Sequence, residues 1–257
     1  MHPSIKKSNI LIIIAVLLNT AYAQSPELVK KQKPTTRAIT PAHRLAYKGW
    51  RERHEQIVQK VKTSDPKLVM IGDSITHNLD RPDRAGLRKQ YLDQYNTINI
   101  GISGDRTENV IWRLQNGAFD GIKPKVATLL IGTNNTDGNH YLHISTPDQL
   151  AAGIWKICSI VRKMSPDTEI VLLGILPYGY KPNHRDEINK ATNKIISRFA
   201  AKDPQIHYHD LGYLFLKDHG RVNVRGDLMP DYLHPNVQGE TLILKTLAPV
   251  ISKLMRK

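Results

Sequence analysis

Cysteine is nearly absent from this chain: Cys158 is the only one in 257 residues. Without a cysteine pair there is no intrachain disulfide, so packing has to hold the fold. Cys158 itself falls on an amphipathic segment and reads as a small core or boundary residue. Long apolar runs are equally scarce. Ile10–Leu18 is shorter than the ~20 residues a membrane-spanning helix needs. Lys6 and Lys7 precede it and Ala21-Tyr22-Ala23 follows it, the pattern of a secretory signal peptide over residues 1–23. The mature protein is therefore expected to be exported, periplasmic or secreted, with no stable membrane insertion after cleavage. No later stretch is long and apolar enough to span a bilayer.

Internal repeats, low-complexity tracts and the aromatic interleaving of nucleic-acid binders are missing as well. That absence matters because the formal net charge is +14. The basic residues are dispersed, with only modest density from Lys30 to Lys62, so no nucleic-acid partner is expected. A basic surface facing an acidic cell envelope or a polyanionic glycan accounts for the charge.

What is present is a run of apolar segments at regular spacing. Residues 24–42 mix Lys, Gln, Pro and Thr and read as a flexible basic linker. A domain over 43–257 follows, opening with a helical pattern from His43 to Lys62. Strands are expected at Lys67–Ile71, Thr97–Ile100, Val126–Ile131, Ile170–Leu176 and Ile206–His209. Helices are expected over Arg106–Asn116, Pro147–Met164, Asp186–Ala200 and Gln238–Leu254. Thr146, Pro147 and Gln149 form a capping-box start for the second of these. Nearly continuous apolar strands alternating with helices argue an α/β fold with a parallel sheet of about five strands covered on both faces.

Polar motifs stand directly after three of the strands. Gly72-Asp73-Ser74 follows the first, Gly101-Ile102-Ser103-Gly104-Asp105 the second, and Gly132-Thr133-Asn134-Asn135 the third. In a parallel sheet with right-handed crossovers all three reach one edge. Asp231-Tyr232-Leu233-His234 lies just before the last helix. Together they supply the parts of an acyl-transfer site. Ser74 is the candidate nucleophile and needs a base, for which His234 is suited. Asp231 is near enough in sequence to fix the tautomer of the base. The backbone N–H groups of Ser74 and Gly104 and the side-chain amide of Asn134 are candidates for an oxyanion hole.

Taken one at a time these residues have plainer readings. Ser74 could cap a helix, Asn134 or Gly104 could shape a turn, and His234 could be a surface residue. Their joint placement favours chemistry. His207, His209 and Asp210 could suggest a metal, but two histidines on a half-buried strand are the simpler reading, and no metal or cofactor is expected. His140 and His143 are candidate cleft residues that more often face solvent, and Trp112 reads as packing for its helix.

The four motifs, in this order, resemble the SGNH (GDSL) hydrolase superfamily. The tract from Gly101 to Asn135, with Gly104-Asp105-Arg106-Thr107, Trp112-Arg113-Leu114, Asn116-Gly117 and Ile122-Lys123-Pro124-Lys125, is similar to the catalytic subunits of intracellular platelet-activating-factor acetylhydrolases. The similarity runs from about Trp50 to the C-terminus. It implies a flavodoxin-like three-layer α/β/α sandwich and a metal-free ester hydrolase. It also implies Ser74, Asp231 and His234 as a triad, with Gly104 and Asn134 in the oxyanion hole. Arg106 departs from the pattern, standing where those subunits usually carry Thr, and is expected to alter the pocket rim. The signal peptide is foreign to those cytosolic enzymes, so exported acetylesterases acting on glycans are the nearer functional analogy. The expected function is hydrolysis of short acyl esters, acetyl first, on a carbohydrate or other small molecule. A phospholipid or lysophospholipid esterase and a non-catalytic glycan-binding module on the same fold are the alternatives. A homodimer is left open.

Overall fold

The computed structural model describes residues 36–217 and 223–257. The expected signal peptide and most of the expected linker lie outside the described residues. In chain order the elements are α1 (Lys48–Thr63), β1 (Leu68–Gly72), α2 (Ser74–His77), α3 (Ala85–Tyr91), β2 (Ile98–Asn99) and α4 (Thr107–Leu114). There follow β3 (Val126–Leu130), α5 (Pro147–Met164), β4 (Glu169–Leu173), α6 (His184–Ala200), β5 (Ile206–His209) and α7 (Val237–Met255). No described helix is long and apolar enough to cross a membrane.

The five strands form one parallel sheet in the order β2-β1-β3-β4-β5. Side chains alternate across each strand, and this divides the core in two. Val69, Ile71, Ala127, Leu129, Ile170 and Leu172 face one layer, against apolar residues of α1, α4, α5 and α6. Leu68, Met70, Val126 and Val171 face the other, against α2, α3 and α7. The result is the expected three-layer α/β/α sandwich. Its strand order is flavodoxin-like, and the chain leaves β1 toward one side and returns toward the other between β1 and β3. That switch point is where an open α/β sheet offers a crevice at its strand ends.

Local starts follow sequence chemistry. Thr146 accepts the Gln149 N–H (3.3 Å) and Gln149 returns the bond to the Thr146 N–H (3.0 Å), closing the expected capping box on α5. Several boundaries differ from expectation. Residues 36–42, read as linker, are packed on the domain. Ala38 is buried, the Thr107 hydroxyl donates to its carbonyl (2.9 Å), and the Ala42 N–H donates to the Glu108 carbonyl (3.1 Å). The helix expected from His43 begins at Lys48, after a turn in which the Tyr47 N–H donates to the Arg44 carbonyl. The fourth strand stops at Leu173 rather than Leu176. There the Asn193 side chain takes over both backbone groups of Ile175, at 2.8 and 2.9 Å, so the chain stays buried without a ladder. The segment between Ser74 and Tyr95 carries two short helices and three 3-10 turns that periodicity over so few residues does not reveal.

Candidate active site

Strand β1 ends at Gly72 because the next helix folds straight back on it. A Cβ at Gly72 would lie 2.1 Å from the Thr76 hydroxyl oxygen and 2.5 Å from the Leu130 carbonyl oxygen, so only hydrogen fits. Asp73 then caps α2, its carboxylate accepting the Ile75 N–H at 3.0 Å. Asp73, not Ser74, does the capping, which leaves Ser74 as the first helical residue with its hydroxyl turned to the cleft. Burial pushes the Asp73 carboxyl up to about 7, against the pull of the Ile75 N–H.

The Ser74 hydroxyl lies 2.8 Å from His234 Nε2, a contact spanning most of the domain's sequence. On the far side of the ring, His234 Nδ1 lies 2.6 Å from Asp231 Oδ2. The loop that carries both is closed on itself. Asp231 Oδ1 accepts the N–H groups of Leu233 (3.1 Å) and His234 (2.7 Å). Burial opposes ionisation of Asp231, but these N–H groups and the His234 ring hold its carboxyl below the usual range. Tyr232 between them takes a left-handed backbone, φ 58°, a strained conformation for a bulky residue. Its carbonyl accepts the Gly179 N–H at 3.1 Å and its ring packs on Tyr180, so neighbouring loops hold the strain in place.

The second and third motifs converge on the same point. Gly104 has φ 78°, which turns the chain after β2. Among the described residues, neither the Ser74 nor the Gly104 N–H has an intramolecular acceptor. The Asn134 amide donates one hydrogen to the Asp105 carbonyl (2.9 Å), leaving its second hydrogen for another acceptor. Three donors beside a hydroxyl, with an imidazole and a carboxylate in line, can carry out acyl transfer. A cleft of about 1030 Å³ opens over them, and Ser74, Gly104, Asn134, Asp231 and His234 all line it.

The remaining candidates are placed as follows. His207 Nε2 lies 2.7 Å from Glu169 Oε2 on a half-buried strand, and among the described residues no group of three acidic, histidine or cysteine side chains is arranged to hold a metal. Burial lowers His209. His140 faces the cleft and pairs with Asp137 at 2.7 Å, whereas His143 is exposed away from it. Trp112 packs among Trp50, His54 and His43. Cys158 is buried, and burial pushes its thiol up to about 12.

Beneath the site lies a brace that motif reading does not reveal. Arg113 is fully buried and pairs with Asp105 at 2.7 Å. It donates to the Ile100 carbonyl (2.7 Å) and reaches the Gly72 carbonyl (3.4 Å), tying the ends of β2 and β1 to the Gly104 turn. Trp50 of α1 donates to the second Asp105 oxygen at 2.6 Å. Arg185 of α6 supports the third motif through the Thr133 carbonyl at 3.2 Å. Arg113 lies inside the tract that carries the family resemblance. Nothing in its spacing says that it points under the sheet edge.

Residues 70–242 match the model of the GDSL-like Lipase/Acylhydrolase family. The platelet-activating factor acetylhydrolase IB subunit alpha1 of Rattus norvegicus is 31% identical over 206 residues, which cover 80% of this chain and 84% of the rat protein. Among solved structures, a putative platelet activating factor from Streptococcus pneumoniae superposes with a TM-score of 0.63 at 20% identity, covering 78% of this chain and 92% of that one. An acetyl xylan esterase, AlAXEase, superposes with a TM-score of 0.58 at 22% identity, covering 70% of this chain and 96% of that one.

Proposed function

The chain belongs to the GDSL-like lipase/acylhydrolase family and is a carboxylic ester hydrolase, and on that premise we propose that it removes short acyl groups, acetyl first, from carbohydrates outside the cytoplasm. The observation that carries the chemistry is the line from Ser74 through His234 to Asp231, at 2.8 and 2.6 Å, beside the Ser74 and Gly104 N–H groups, which have no acceptor among the described residues, and the second hydrogen of the Asn134 amide. Ser74 Oγ attacks the ester carbonyl while His234 Nε2 takes its proton. The N–H groups of Ser74 and Gly104 and the Asn134 amide receive the oxyanion. His234 returns the proton to the departing alcohol. Water, deprotonated by the same imidazole, then releases the acid from Ser74. Asp231 holds the ring with Nδ1–H toward its carboxylate, so Nε2 is free to accept.

The charged and polar residues in the cleft support a hydrated alcohol and a short acyl group. The lining is mixed: arginines, histidines and acids stand among Ala42, Tyr47, Tyr141, Pro230, Leu233 and Pro235. A long acyl chain would need a continuous apolar channel to repay its transfer from water. The signal-peptide pattern supports action outside the cytoplasm, and the acetyl xylan esterase among the structural relatives is consistent with a glycan ester. A second reading, an acetyl ester on a phospholipid, is favoured by the platelet-activating factor acetylhydrolase relative. Acetate release from acetylated oligosaccharides and from an acetylated glycerophospholipid, with Ser74→Ala as control, separates the two. Faster release from the phospholipid would overturn the carbohydrate assignment.

A further inference from the structure

The cleft is rich in arginine. Arg37, Arg44, Arg81, Arg84 and Arg106 all line it, against the acids Glu108, Asp137 and Asp231. The acids are already committed. Asp231 holds His234, and Asp137 faces both His140 (2.7 Å) and Arg185 (3.5 Å). Glu108 is shared by Arg106 (3.0 Å) and Arg37 (3.7 Å). Arg84 is neutralised by Glu240 at 2.7 Å, and Arg81 by Asp83 at 3.5 Å. Positive charge is left over in the cleft.

Two of these arginines are placed to use it. Arg44 pairs with no carboxylate among the described residues; its Nη1 donates only to the Ser103 carbonyl, at 3.2 Å. Its guanidinium lies so close to the oxyanion turn that a Cβ on Gly104 would come within 2.6 Å of Nη1. Arg106 is 4% exposed, yet its Nε and Nη2 make no hydrogen bond, the Glu108 contact being an ion pair without donor geometry. Burial and the nearby Arg37 charge lower the Arg106 guanidinium from its ordinary value despite Glu108. Tyr141 joins the two. Its ring lies 5.0 Å under Arg106, and its hydroxyl donates to the Gly104 carbonyl at 2.6 Å. A buried guanidinium with unmade hydrogen bonds is costly, and an incoming carboxylate would supply acceptors in a matching planar geometry.

We propose that the alcohol portion of the substrate is an acidic sugar, its carboxylate held by Arg44 and Arg106 beside the acetyl ester that Ser74 attacks. This rests on the hydrolase reading of Ser74, and it narrows the substrate class from carbohydrates to uronic-acid-type glycans. A phosphate on a lipid would also suit arginine, but Leu233 is the one large aliphatic side chain among the described residues that line the cleft, so lipid chains have little to pack on.

The test compares kcat/KM on acetylated oligogalacturonate, acetylated xylooligosaccharide, an acetylated glycerophospholipid and p-nitrophenyl acetate. The acidic sugar should exceed the neutral one by about tenfold or more, and 0.5 M salt should shrink that ratio. In Arg44→Met the ratio should fall about tenfold, chiefly through KM, with Arg44→Lys recovering part of it. Unacetylated oligogalacturonate should also inhibit p-nitrophenyl acetate hydrolysis by the wild-type protein competitively, a measurement that needs no variant. A wild-type ratio near one, or a ratio that Arg44→Met leaves unchanged, would overturn the proposal while the esterase stands. An arginine-dependent preference for the phospholipid would overturn it in favour of a phosphate. Failure to hydrolyse any of the four esters would overturn the esterase reading itself and the acidic-sugar reading with it.

Discussion

Ser74, Gly104 and Asn134 stand on strand ends above a buried polar brace, whereas Asp231 and His234 stand on a loop that water reaches. The Asp105 and Arg113 side chains under the first group are 0% exposed; Asp231 and His234 are 56% and 31% exposed. The Ser74 side borrows its rigidity from the sheet and from an ion pair that cannot be opened without stranding a charge. The His234 side achieves order locally, through an Asp231 carboxylate that accepts two N–H groups of its own loop and a strained Tyr232 clamped by Gly179. Accurate placement thus comes from two different sources, and the two regions should fail in different ways when altered.

The largest effect tests the exposed side. Asp231→Asn should lower kcat on p-nitrophenyl acetate by about 10⁴, because the ring would lose the partner that fixes its tautomer. Thermal stability should hardly move, by about 0.5 kcal/mol or less, since the site is solvated. A large melting shift would show that the loop is structural. Arg113→Met should do the reverse. It leaves the Asp105 carboxylate buried without its cation, and denaturant unfolding should report a loss of about 3–5 kcal/mol. A stability change under 1 kcal/mol would mean that the brace is dispensable.

Asn134→Ala comes next, with kcat down by about 10²–10³ and KM little changed, the expectation for a donor that acts on the transition state. An equal rise in KM would instead make Asn134 a substrate-binding residue. The remaining prediction concerns Asp73, whose carboxyl is pushed up by burial to about 7 from an ordinary value of 3.8. Between those two pH values the unfolded chain is ionised there while the folded chain holds the proton. The Asp73 contribution to stability therefore falls as pH rises through that window and is level above it. Asp73→Asn keeps the acceptor for the Ile75 N–H and cannot ionise, so the wild-type urea midpoint should fall relative to that of the variant as pH rises over the same range. Parallel profiles would contradict a buried protonated Asp73.

Much of this architecture is legible in the chain. Alternation along Leu68-Val69-Met70-Ile71 already separates the two core faces, and the Thr146 capping box marks the start of α5 without any tertiary information. The polar motifs are legible as sites because each interrupts an apolar strand at its end. Arg113, Trp50 and Arg185 are not legible in that way. A buried arginine looks like any surface arginine in sequence, and only the packed partners Asp105 and Thr133 distinguish them. The same holds for residues 36–42, whose composition suggests a linker while their backbone hydrogen bonds run to α4. Arg44 shows the limit most clearly. It lies 59 residues from the Ser103 carbonyl it touches, and periodicity carries no information over that range.

The pattern of the chain specifies the five strands and the longer helices, the parallel sheet, and which residue types reach its carboxyl edge. These follow from short-range rules of side-chain alternation, capping and the handedness of crossovers. Tertiary packing alone brings His234 within 2.8 Å of Ser74 across 160 residues and lines the cleft with arginines that have no free acid among the described residues. Those outcomes depend on the closing of distant loops and on which charges lose their water. Neither is encoded in local spacing.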